Sequence, residues 1–160
     1  MKLAPILFLL LIACLQVTLA KTINMPVELR TILGNAAAPP EVRSIAQLPK
    51  VIVSLCADEK GRMANPGQKW QATDVVDEDG LPWKRLIWAA IIDEHYVVHY
   101  ERGGNGHSLR HFVIAHLKNA STKANVVWHG VGDEMKDYQT FLKALNADRL
   151  DDSISYDIWH

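Results

Sequence analysis

The residues of this chain most suited to chemistry are its histidines, and they crowd into the second half. All seven lie at or beyond His95, and all but His160 fall between His95 and His129. Imidazole titrates near neutral pH and ligates transition metals, so a row of imidazoles can pass protons or hold an ion once the fold brings them together. On one extended strand, His95 and His99 stand about 13 Å apart, too far to share a metal. In a helix the same spacing would approximate a zinc-protease motif, but Tyr96 occupies the place of the catalytic glutamate and Tyr96-Val97-Val98 favours a strand.

Any site therefore depends on strand register. If Glu101 faces Leu109 across the glycine-rich turn, His99 faces His111, His95 faces Ala115 and Val97 faces Val113. The even-numbered Tyr96, Val98, Tyr100, Phe112, Ile114 and Trp128 then form an apolar side, which a C-terminal helix would cover. His95, His99, Glu101 and His111 share the outer face, joined by His129 if the next turn keeps the parity. Directly opposed residues have Cβ atoms about 5 Å apart. This makes His99, His111 and His129 candidate ligands of a transition metal. It also makes His99, Glu101 and His111 candidate proton carriers for hydrolysis of a phosphodiester or glycan, with Arg102 or Arg110 holding the anion. Against both stands the plain fact that a wet sheet face accepts His, Glu and Arg without any chemistry.

Trp88 is a further candidate. A two-residue hairpin closed at Asp93-Glu94 places it opposite His99, where an indole beside imidazoles makes a binding surface or a second layer of core under the N-terminal helices. Trp88, Arg102 and Arg110 are thus the expected binding residues. Gly103-Gly104-Asn105-Gly106 lacks the pattern of a phosphate loop and reads as a wide turn, and Asn119-Ala120-Ser121 fits a glycosylation sequon in a predicted turn.

The elements that would position these groups follow from periodicity. From residue 50 to 131 the chain is expected to be mostly sheet, with a buried strand at Val51–Cys56 and a meander of about five strands at Trp70–Val76, Leu86–Ile92, His95–Glu101, Leu109–Leu117 and Asn125–Val131. Leu109–Leu117 also fits a helix face, but its Phe-Val-Ile centre favours a strand. Met135, Tyr138, Phe141, Leu142 and Leu145 recur at helical spacing, predicting an amphipathic helix over 133–147. Residues 21–48 hold short helices and a Pro-rich linker. The first of these helices, capped by Asn24 and stopped by Gly34, is short and weakly anchored, and Glu41 to Leu48 has one or two turns. The tail 148–160 adds an edge strand or trails. The fold class is α+β, in one domain over 21–160.

Composition limits the function. Lys+Arg number 17 against 18 Asp+Glu, so there is no basic field for nucleic acid. Residues 1–20 resemble an export signal: Lys2, an apolar run from Leu3 to Val17, and Thr18-Leu19-Ala20 at a cut site. Cleavage there leaves Cys56 as the one cysteine, buried and inert among apolar neighbours, with no internal disulfide. Leu11-Ile12-Ala13-Cys14 also fits a lipobox, which would tether the protein to the envelope through Cys14, and retention of the run as an anchor is the third outcome. The expectation is an exported protein, periplasmic or extracellular. Its expected role is non-catalytic binding of an envelope or extracellular protein or a small ligand, the alternative being a small hydrolase or metal-binding protein using His99, Glu101 and His111.

Overall fold

The structure, a computed structural model, describes residues 23–74, 80–104, 109–119 and 121–153. The apolar N-terminal run with Cys14, the tip of the glycine-rich turn and the last seven residues lie outside them. The element order is α1 (Val27–Asn35), β1 (Glu41–Val42), a single 3-10 turn (Ile45–Gln47), α2 (Lys50–Cys56), β2 (Lys84–Ile92), β3 (His95–Arg102), β4 (Leu109–His116), β5 (Asn125–Gly132) and α3 (Tyr138–Asn146). The five strands form one antiparallel meander in chain order. The fold is the α+β sheet with short N-terminal helices and a C-terminal helix that periodicity predicts.

Helices cover both faces of this sheet. On one face Trp88, Val97, Phe112 and Ile114 pack with α1 and α3, through Leu29, Leu33, Tyr138 and Phe141. On the other, Leu86, Val98, Tyr100 and Val113 pack with Leu48, Ile52 and Cys56 of the α2 region. Neither face is left as the open, wet surface that the histidine row presupposes.

Four expectations are corrected. Val51–Cys56 is not a strand but the body of α2. A β-branched residue costs a helix roughly 0.5 kcal/mol relative to alanine, whereas full burial of one isoleucine returns about 2 kcal/mol. Pro49 starts the helix, and Leu48, Ile52 and Cys56, four residues apart, then form a single stripe against the sheet. The described part of Trp70–Val76 is irregular, and the fifth strand is instead the short β1, paired through Val42 to Ala89 of β2. The first helix starts after Pro26 and is well anchored: the Tyr138 hydroxyl donates to the Leu33 carbonyl at 2.8 Å, and Arg30 pairs with Asp148 at 3.0 Å.

The fourth correction is register. Glu101 pairs with Arg110, His99 with Phe112, Tyr100 with His111, and His95 with His116. The expected alignment is off by one residue, and because side chains alternate, one residue exchanges the faces. The β2–β3 hairpin is as expected, with Asp93 at φ 51° in the turn and Trp88 opposite His99. Two bulges complete the change. The register shifts between Leu86 and Trp88 in β2, and again where Ala115 and Ile114 meet Val126 and Trp128. Each bulge lets a strand of constant parity serve both cores.

Candidate functional site

His99 and His111 lie on opposite faces, so they form neither a metal pair nor an acid–base pair. His99 is fully buried and stacks on Phe112 with ring centroids 4.0 Å apart. Its Nδ1 donates to the carbonyl oxygen of His111 at 3.0 Å, and its Nε2 accepts from the Met135 N–H at 3.4 Å. A carbonyl can only accept and an amide N–H can only donate, so these partners fix one neutral tautomer. Burial pushes the His99 pKa down to about 4, against the opposing pull of the His111 carbonyl.

His111 sits one rung away, stacked on Tyr100 at 5.0 Å, with its Nδ1 3.0 Å from Nε2 of His129. The two rings share one hydrogen between those nitrogens. Burial lowers both, His111 to about 3 with His129 adding to the effect, and His129 to about 4 with Lys84 adding. Among the described residues no three His, Cys, Asp or Glu side chains converge where a metal ion could be held.

Glu101 lies on the His99 face and is 5 % exposed. Arg85 reaches its Oε2 at 2.6 Å, Arg110 approaches Oε1 at 3.6 Å, and Arg110 goes on to Glu134 at 3.2 Å. Arg85 in turn lies over the Trp70 ring, 4.8 Å from its centroid. The carboxylate is thus the centre of an ion-pair chain that ties the ends of β2, β3 and β4 together. Trp88 is also interior. It is fully buried, its Nε1–H donates to the Met135 carbonyl at 2.6 Å, and it offers no binding surface.

A different place has the makings of a site. At the end of the β2–β3 ladder, on the α2 side of the sheet, a cavity of about 410 Å³ opens among Asp58, Lys60, Trp83, Lys84, Arg102 and Gly104. That volume is typical of small-ligand pockets. One wall is the loop after α2, where Asp58 accepts from the backbone N–H groups of Lys60 and Arg62 at 3.0 and 2.9 Å and from that of Trp83 at 3.2 Å. Arg62 pairs with the same carboxylate at 3.2 Å. Burial alone would raise the Asp58 pKa, but these hydrogen bonds and the guanidinium hold it below the ordinary value. The strand end is pinned by Gly103, where a Cβ would meet the Gln71 carbonyl oxygen at 1.9 Å, so that only glycine lets the Gln71–Ala72 backbone pass.

Lys84 is the unusual member. It is only 5 % exposed. Its Nζ lies 5.4 Å from the centroid of the Tyr100 ring and, among the described residues, has neither a hydrogen bond nor an ion pair. Burial pushes its pKa below the usual lysine value, with Cys56 opposing the shift and Arg102 adding to it. Arg102 pairs with Lys84 across the ladder, and its exposed guanidinium likewise lacks a partner among the described residues. The stem of Lys84 is thus buried while its ammonium opens on the cavity, where a counter-ion can reach it.

Of the residues that sequence reasoning singled out for binding, the structure brings only Arg102 to this cavity. Arg110 is held in the Glu101 chain. Lys84 was missed, although a signal existed: it lies two residues before Leu86, so a strand extended by one pair puts a lysine on the same face as Leu86.

Together these features define a class: an α+β protein with an antiparallel meander between two helical layers and a cation-bearing cavity at one sheet end. Comparison with protein-family models, curated proteins and solved structures finds no match to this chain.

Proposed function

We propose that this is an exported, non-catalytic binding protein that takes a small ligand in the cavity beside Lys84 and Arg102. The cavity itself carries this reading, because it combines ligand-sized volume with charged groups that lack partners among the described residues. The proton carriers expected of a hydrolase are otherwise employed: His99 and Glu101 hold the sheet to its neighbours on one face, and His111, on the opposite face with Lys84, is buried in a stack against Tyr100. The apolar first twenty residues support export, with cleavage after Ala20.

Two measurements test the reading. Mass spectrometry of the processed protein is expected to find Lys21 at the N-terminus; a lipidated Cys14 would make it an envelope-tethered protein instead. A thermal-shift screen of the mature chain against small organic acids, phosphate esters and sugars is expected to give saturable stabilisation by at least one class, with the compound recovered unchanged. Turnover of a bound compound, or no stabilisation by any class, would overturn it.

A further inference from the structure

We infer that the cavity recognises an oxyanion, a carboxylate or phosphate carried on a small organic body, with the Lys84 ammonium as its inner contact and the Arg102 guanidinium at its mouth. This rests on the binding reading above and names the ligand chemistry. The first ground is Lys84. Its side chain is buried, its ammonium borders the cavity, and the ammonium finds only the face of Tyr100 and no acceptor among the described residues. A ligand oxyanion supplies the missing acceptor.

The second ground is the balance of charge around the opening. Asp58 is neutralised by Arg62, which among the described lining residues leaves Lys60, Lys84 and Arg102 against Glu59. The cations outnumber the carboxylates that remain. Arg102 brings a planar fork of donors suited to carboxylate or phosphate oxygens, while Lys84 brings a point charge. The third ground is size and lining. The cavity of about 410 Å³ is larger than a bare phosphate needs, and the Trp83 indole offers an apolar wall for a ring or short chain.

Calorimetric titration of the mature full-length chain with benzoate, phenyl phosphate, inorganic phosphate and neutral benzyl alcohol tests this. The aromatic anions are expected to bind at least about 10-fold more tightly than benzyl alcohol, with affinity falling as salt is added. Preference for phenyl phosphate or for benzoate identifies which oxyanion fits, and inorganic phosphate reports what the ring adds. Lys84→Met keeps the buried stem and removes the charge, and is expected to weaken anion binding about 10-fold or more. Arg102→Gln, at an exposed position, is expected to weaken it similarly and serves alone if Lys84→Met does not fold. Glu59→Gln is expected to leave binding intact or tighten it. Equal binding of benzyl alcohol, or full anion affinity in the substituted chains, overturns the oxyanion inference while leaving a binding protein. Absence of binding by these probes together with an empty thermal-shift screen removes both.

Discussion

The Nδ1–H of His99 donates to the backbone carbonyl oxygen of His111 at 3.0 Å, although the two imidazoles occupy opposite faces of the sheet. This bond crosses the β3–β4 ladder, and the Met135 N–H closes the other side of the ring. His99 is therefore a bolt between two strands and the loop before α3, and it works only when neutral.

That role gives acid sensitivity with a definite sign. An unfolded histidine titrates near 6.5, whereas His99 in the fold is pushed down to about 4. Between those values the unfolded chain holds the extra proton, so stability is full above pH 6.5 and falls on acidification, by up to about 1.4 kcal/mol per pH unit. His129 shifts in the same direction. Urea midpoints are expected to be lower at pH 5 than at pH 7, with a flatter dependence in His99→Gln. A midpoint in the native chain that does not move between these pH values would contradict the assignment.

The Glu101 chain predicts a structural phenotype. Glu101→Gln leaves Arg85 and Arg110 without their shared carboxylate, and the expected loss is roughly 1–3 kcal/mol of stability. Denaturant unfolding measures it. Ligand affinity at the Lys84 cavity is expected to stay unchanged, because Glu101 points to the other face; a large loss of affinity with unaltered stability would show that it contacts ligand.

The strands were legible in the sequence wherever a turn fixed them. Asp93-Glu94 allows only one short hairpin, and so Trp88 opposite His99 could be deduced. No such turn joins β3 to β4, where the six-residue connection over 103–108 admits alignments that differ by one residue. The alignment with Glu101 facing Arg110 joins opposite charges, and the one chosen from alternation alone does not. The helix α2 was hidden for another reason. Val51, Ile52 and Val53 favour strand by local preference, and only the sheet face that receives Ile52 and Cys56 selects the helix. The bulges in β2 and β5 leave no sequence mark, and without them the faces of Leu86 and Trp88 could not be told apart. Lys84 fell outside the strand drawn from Leu86, and the cavity went with it.

Trp88→Phe tests the face under α1 and α3. The substitution removes the 2.6 Å bond to the Met135 carbonyl and leaves a void beside Phe141, for an expected cost of about 1–3 kcal/mol. Its near-ultraviolet circular dichroism is expected to lose a rigid indole band. A stability equal to that of the native chain would show that the indole is not locked in place.

Cys56 is expected to be inert. It is 1 % exposed, and burial pushes its thiol up to about 12, against the pull of Lys84. At pH 8 a thiol reagent should label the native chain only as fast as the chain opens, and label the urea-unfolded chain at once. Rapid labelling without urea would mean that α2 does not sit on the sheet as described.

The most direct test of binding without chemistry at the Lys84 cavity is a nitrogen–proton chemical-shift map of the mature chain titrated with phenyl phosphate. The predicted result is a saturable set of shifts at Lys60, the Trp83 indole, Lys84, Arg102 and Gly104, with no phenol released. Shifts centred instead on His111 and His129, or release of phenol that depends on those histidines, would contradict it.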